Sequence, residues 1–172
     1  PGPRGYDACD LHENVRLKLD PGSISAVETQ NQTKSTIDDL GISFDYPNDW
    51  NISEISSRKL EGGIEINQLK VYPEEVDPTV VWFFVTEESL DKVHNIELVK
   101  SNTDGFTFSN TTINGLEALQ RVDTFSTNEC TKTITLIEKG QKVYGSEIVK
   151  CPTHPEGYDQ IRIDIANSLS IN

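Results

Sequence analysis

Thr79-Val-Val-Trp-Phe-Phe-Val85 is the most apolar run of the chain, β-branched and aromatic, and much too short to span a membrane. Val80 to Val85 are consecutive apolar residues without alternation, so a strand here needs cover on both faces. The stretch is therefore expected as a central strand, with the remaining elements arranged as the layers that cover it.

Outward from this strand the period changes. Thr86 suits a helix N-cap, Glu87 and Glu88 suit the first turn, and Leu90 and Val93 supply an inner edge, which predicts a helix over 87–95. Upstream, Glu74-Glu-Val-Asp-Pro78 is an acidic loop, preceded by Ile64, Ile66, Leu69 and Val71. These four alternate but slip phase at Gln68, which predicts a bulge before Pro73. Ile42, Phe44 and Tyr46 alternate with Ser43 and Asp45 as in a half-buried strand; Pro47-Asn-Asp49 turns, and Trp50 to Ile55 continues as strand.

Two hairpins follow the predicted helix. Phe106 to Thr112 returns through Asn114-Gly115 as Leu116 to Phe125, and Cys130 to Glu138 returns through Gly140-Gln141 as Lys142 to Cys151. A helix opens near Pro155-Glu156 and runs over 156–168, with Tyr158, Ile161, Ile165 and Leu169 in one stripe. The order of elements predicts an α+β fold with a mostly antiparallel sheet, occupying residues 39–172. Residues 1–38 read as an extended segment and linker, in which Val15 to Leu19 would add an edge strand and Gly22 to Thr36 is polar and aperiodic.

Lys and Arg total 15 against 28 Asp and Glu, a net charge of −13, which opposes binding to nucleic acid or an anionic membrane surface. The apolar runs fall short of a transmembrane helix. With no Met in the chain, residue 1 is expected to follow a removed signal or anchor segment. Three Asn-X-Ser/Thr sequences, at Asn31, Asn51 and Asn110, agree with an exported surface as candidate glycosylation sites.

Register gives the cysteines an expected partner. A two-residue turn at Gly140-Gln141 pairs positions whose numbers sum to 281, and Cys130 plus Cys151 is such a pair. An unslipped ladder places them at a non-hydrogen-bonded pair about 4.5 Å apart, a distance a disulfide accepts. Pairing through Cys9 is the alternative, and either disulfide requires an oxidising compartment.

Catalytic machinery is not indicated. His12, His94 and His154 lie in an extension, a helix and a loop, and neither a nucleophile elbow nor a phosphate-cradling loop occurs. The best metal constellation is Glu87, Asp91 and His94, which share one face of a helix that starts at 87 and would suit Mn²⁺ or Zn²⁺. Glu74, Glu75 and Asp77 lack the spacing of an EF-hand. Trp50 and Trp82 are expected in the core, with a ligand cleft between sheet and helix as the alternative.

Three segments resemble PsbP-type domains: Gly41-Ile-Ser-Phe-Asp-Tyr-Pro-Asn-Asp-Trp50, Ile113-Asn-Gly-Leu-Glu-Ala-Leu-Gln-Arg-Val122, and the closing helix and apolar tail from Tyr158 to Ile171. The resemblance spans roughly residues 40–171. It implies an α/β/α sandwich around an antiparallel sheet in a non-catalytic protein without a cofactor. Plant members of the family are extrinsic subunits of photosystem II that help it retain calcium and chloride, and prokaryotic relatives are exported or lipid-anchored. The residues here match no photosystem- or metal-binding position of that family, so a photosynthetic role is not carried over from the resemblance. An accessory or binding module for a larger envelope-associated complex is the first expectation. A small-ligand or divalent-metal protein is the second.

Overall fold

The computed structural model describes residues 31–74, 80–93, 103–125, 129–155 and 157–172. The strands are β1 Gln32–Ile37, β2 Ile42–Pro47, β3 Trp50–Ile52, β4 Ser56–Lys59, β5 Glu65–Pro73 and β6 Val81–Thr86, then β7 Thr103–Ile113, β8 Leu116–Phe125, β9 Thr131–Lys139, β10 Lys142–Lys150 and β11 Ser170–Ile171. Helix α1, Leu90–Val93, follows β6, and α2, Tyr158–Asn167, precedes β11. The larger sheet has the order β3-β5-β6-β10-β9-β8-β7, with β4 also pairing β5; the smaller has the order β1-β2-β11. Every described strand pair is antiparallel. The chain has a sheet-rich α+β fold.

The apolar run is β6, internal to the larger sheet as its composition requires. Its alternate residues serve two separate cores. Val81, Phe83 and Val85 join Leu69, Val71, Ile137 and Tyr144 on the first face. That face is covered by Ile165 and Ala166 of α2 and by Ile42 and Phe44 of the smaller sheet, where the Phe44 and Phe83 rings stack 4.5 Å apart. Phe84 points to the second face and packs with Ile66, Ile134, Leu136, Val143 and Val93 of α1. Gly145 sits opposite Phe84 in the β6–β10 register, and a Cβ there would lie 2.1 Å from the ring tip. Glycine at 145 is thus what allows the ring to lie across β10.

The two covered faces account for the phase slip in β5. Ile66 is buried on the second face, Leu69 and Val71 on the first, while β5 keeps continuous register with β4 and β6. The strand changes which face it buries; the bulge expected at Gln68 does not occur.

The predicted helix 87–95 is corrected at its start. Thr86 remains in β6, paired with Val143, and its hydroxyl donates to the Glu65 carbonyl at 2.8 Å. The hydroxyl also accepts from the Glu88 N–H at 3.3 Å, so it organises a turn before the helix. The Ser89 carbonyl accepts the first helical bond, from Val93 N–H at 3.1 Å. Residues 94 and 95 lie outside the described residues.

Residues 32–37, expected as the end of a linker, form β1. Their β-tolerant Thr, Ser and Ile residues pair one for one with β2, and Ile37 packs against the first core. The expected edge strand at Val15–Leu19 lies outside the described residues. Strand Trp50–Ile55 ends at Ile52, and β4 begins at Ser56.

Candidate interaction surface

Cys130 and Cys151 form the disulfide, with Cα atoms 4.2 Å apart. The hairpin ladder runs unslipped from Lys139↔Lys142 to Thr131↔Lys150, one step inside the bridge. Cys9 lies outside the described residues. Asn31, Asn51 and Asn110 are exposed, immediately before β1, in β3 and in β7 respectively.

Of the expected metal residues, Glu87 lies before the helix and Asp91 on it. Glu87 precedes α1 and pairs with Lys142 Nζ at 2.9 Å, both groups in solvent; this pair raises the Lys142 pKa. Asp91 is exposed on α1, and His94 lies outside the described residues. Glu74 is exposed after β5, whereas Glu75 and Asp77 lie outside the described residues. Trp50 is buried, with its ring 6.2 Å from that of Tyr158. Trp82 is half-buried on the second face, beside Arg58, Phe84 and Glu147.

On this second face, beyond the cover of α1, register assembles a polar and aromatic group that the sequence does not announce. Phe106 pairs with Asp123, Phe108 with Arg121, Asp123 with Lys132, and Arg121 with Ile134. The Arg121 guanidinium donates through Nε to Asp123 Oδ1 at 2.6 Å and through Nη2 to Oδ2 at 3.1 Å. Lys132 Nζ lies 3.6 Å from the same carboxylate and makes no hydrogen bond among the described residues. Arg121, Asp123 and Lys132 are all buried. Glu147 is diagonal to Lys132 across β9 and β10; desolvation raises its pKa, opposed by the charges of Lys132 and Arg58.

Above the cluster stands the exposed part. The Phe106 ring lies over Arg121 Cζ at 4.5 Å, and Phe108 meets it edge-on at 5.3 Å. Phe106 is 54% exposed and Phe108 39%. A bidentate ion pair fixes the guanidinium, the guanidinium fixes one ring, and that ring orders the other. Side chains held this way lose little freedom on docking, which is the arrangement of an interface anchor. One signal was available in the sequence: Arg121 and Asp123, at i and i+2 on a strand, must share a face.

Two other polar sites flank the first face. A cleft of 240 Å³ between sheet and α2 is lined by Gln120, Thr131, Thr133, Thr135, Ser146 and Asn167, among others. Lys150 is the one ionisable residue along its described lining, so the cleft offers hydrogen bonds without an acid–base pair. In the middle of α2, Arg162 is buried beside the apolar stripe of the helix. Its Nη2 bonds Asp159 Oδ1 and donates to His154 Nδ1 at 2.6 Å. The Cys151 N–H also donates to that nitrogen, at 3.2 Å, and Asp159 Oδ1 lies 3.1 Å from it. Burial lowers the Arg162 pKa against the opposing pull of Asp159, a structural ion pair beside the disulfide.

No family model and no curated protein matches the chain. Among solved structures, the solution structure of cyanobacterial PsbP (CyanoP) from Synechocystis sp. PCC 6803 aligns with 88% of this chain and 99% of its own, at a TM-score of 0.51 and 12% identity. The fold is PsbP-like. A crystal structure from Bacteroides thetaiotaomicron VPI-5482 aligns with 77% of this chain and 45% of its own, at a TM-score of 0.44 and 12% identity. At such identity the PsbP-like likeness concerns the path of the backbone. The Phe106–Arg121–Asp123 arrangement is described from this chain's own residues.

Proposed function

We propose that the chain is a non-enzymatic, exported accessory module that docks on a larger envelope-associated protein complex through its second sheet face. The observation that carries this reading is the Phe106/Phe108 pair, exposed yet fixed from beneath by Arg121 and Asp123. The PsbP-like fold supports an accessory role, and the Cys130–Cys151 disulfide supports an oxidising compartment. The three-layer α/β/α form implied by the resemblance belongs to the same reading. With a net charge of −13, the fitting partner is a protein subunit presenting an apolar contact ringed by basic groups.

The test is chemical cross-linking in native envelope membranes, comparing the wild type with Phe106→Ser/Phe108→Ser. Both substituted rings are exposed in part, so the variant should keep its disulfide and fold, melting somewhat lower for the lost ring contact with Arg121, while losing a defined cross-linked complex. A folded variant that retains the same complex at the wild-type yield overturns this surface.

A further inference from the structure

The three Asn-X-Ser/Thr sequences are scattered along the chain, but in the fold they occupy equivalent places. The larger sheet ends at β3 on one side and β7 on the other. Asn51 lies in β3 and Asn110 in β7. The outer strand β1 forms one end of the smaller sheet, and Asn31 directly precedes it, its carbonyl accepting from Asn48 N–H at 3.1 Å to close the β1–β2 ladder. All three carboxamides are exposed, and none is tied by a side-chain hydrogen bond among the described residues.

Free edges of this kind need protection. A sheet edge presents unpaired N–H and C=O groups that template pairing with another chain, and proteins blunt it with Lys, Pro, bulges or short strands; β1 has Lys34 and β3 is three residues long, which leaves β7 as the most open edge. Strand β7 is 11 residues long, carries Asp104 as its one charged residue, and has neither Lys nor Pro; its register slips once, between Thr103 and Gly105, and runs unbroken from there to Ile113 past Asn110. It also bears Phe106 and Phe108. Such a strand is an association hazard unless something bulky and hydrated stands on it.

We infer that Asn31, Asn51 and Asn110 carry N-linked glycans that cap the free sheet edges. The donor class is a lipid-linked diphospho-oligosaccharide, and the catalyst is a separate membrane transferase. The Asn Nδ2 attacks the anomeric carbon, forming the N–C bond. The bond from that carbon to the diphosphate oxygen breaks, the lipid diphosphate leaves, and one amide proton passes to the transferase. The disulfide supports an oxidising compartment, the kind of setting in which such a transfer happens. This inference does not rest on the docking surface: Phe106, its anchor on Arg121, stands four residues from Asn110, about 13 Å along the strand, whereas Phe108, two residues and about 7 Å away on the same face, lies within reach of the glycan.

Intact-mass measurement and peptide mapping of the protein purified from its native source test the inference. The expected result is a hexose-containing mass on the peptides bearing Asn31, Asn51 and Asn110, lost site by site in Asn→Gln variants. Unmodified Asn31, Asn51 or Asn110 in the native protein overturns it. The capping role is read by sedimentation of Asn110→Gln and of Thr112→Ala, two routes to a glycan-free β7. Both should shift from monomer toward larger species, and Thr107→Lys added to either should reverse the shift. Glycan-free variants that stay monomeric like the wild type overturn the capping role, even where the glycan itself is present.

Discussion

Glu147 shows how a single residue can make this sheet respond to pH. Burial pushes its carboxyl above the ordinary glutamate range, so the folded chain holds its proton more tightly than the unfolded chain. A raised acid contributes stability that is full below the unfolded pKa of about 4.3 and is lost as pH rises through the folded value. Glu147→Gln cannot ionise. Its urea midpoint should exceed that of the wild type near pH 7.5, and the difference should shrink toward zero near pH 4. An unchanged difference across that range would mean that burial does not govern this carboxyl. Arg162 poses the opposite case. Its guanidinium is buried with Asp159 as its carboxylate partner, so Asp159→Ala should cost about 3 kcal/mol, the low end for breaking a buried pair because Asp159 keeps some exposure. Arg162→Met removes the charge itself and should cost less. Denaturant melts of the two variants give the ordering. Trp50→Ala should likewise cost about 3–5 kcal/mol as a core truncation, and half-buried Trp82→Ala less.

At the level of elements, the second hairpin shows why some of the fold was legible. A two-residue turn fixes register, register fixes which residues face each other, and so the Cys130–Cys151 bridge followed from counting. Strand β5 was harder, because its hydrophobic period records two cores at once and resembles a bulge when only one face is imagined. The start of α1 was hidden for a related reason: Thr86 has the chemistry of a cap, but strand pairing with Val143 claims it first. The Arg121–Asp123–Lys132 cluster needed the pairing of β8 with both its neighbours, and no local pattern carries that. The disulfide spans 21 residues of separation, so the Cys130→Ser/Cys151→Ser variant should lose about 3 kcal/mol by chain-entropy reasoning. The Arg162 pair lies next to the bridge and would loosen with it. A loss well above that value, read from urea melts, would show the two acting as one unit.

The whole molecule is closed by the small sheet, which draws together two distant parts of the chain. β1 and β11 flank β2, one on each side, and Asn172 N–H donates to the Gly41 carbonyl at 2.9 Å. From the larger sheet, Lys139 Nζ reaches the Ile171 carbonyl at 2.9 Å, and Asn114 Nδ2 the Leu169 carbonyl at 2.8 Å. The small sheet is therefore part of the cover on the first face, and β1 belongs to it although its composition reads as a linker. Polar, aperiodic residues give no sign of a strand when the apolar face that the strand completes belongs to its neighbour. A chain beginning at Asp39 would free the outer edge of β2 and remove Ile37 from the core. It should lose at least about 1 kcal/mol, from the half-burial of Ile37 alone. A chain beginning at Asn31 keeps β1 and its pairing and should melt above it. Equal melting temperatures for the two truncated chains would place the folded boundary at residue 39 and make β1 an appendage. A lower temperature for the shorter one would make residues 32–37 part of the folded unit.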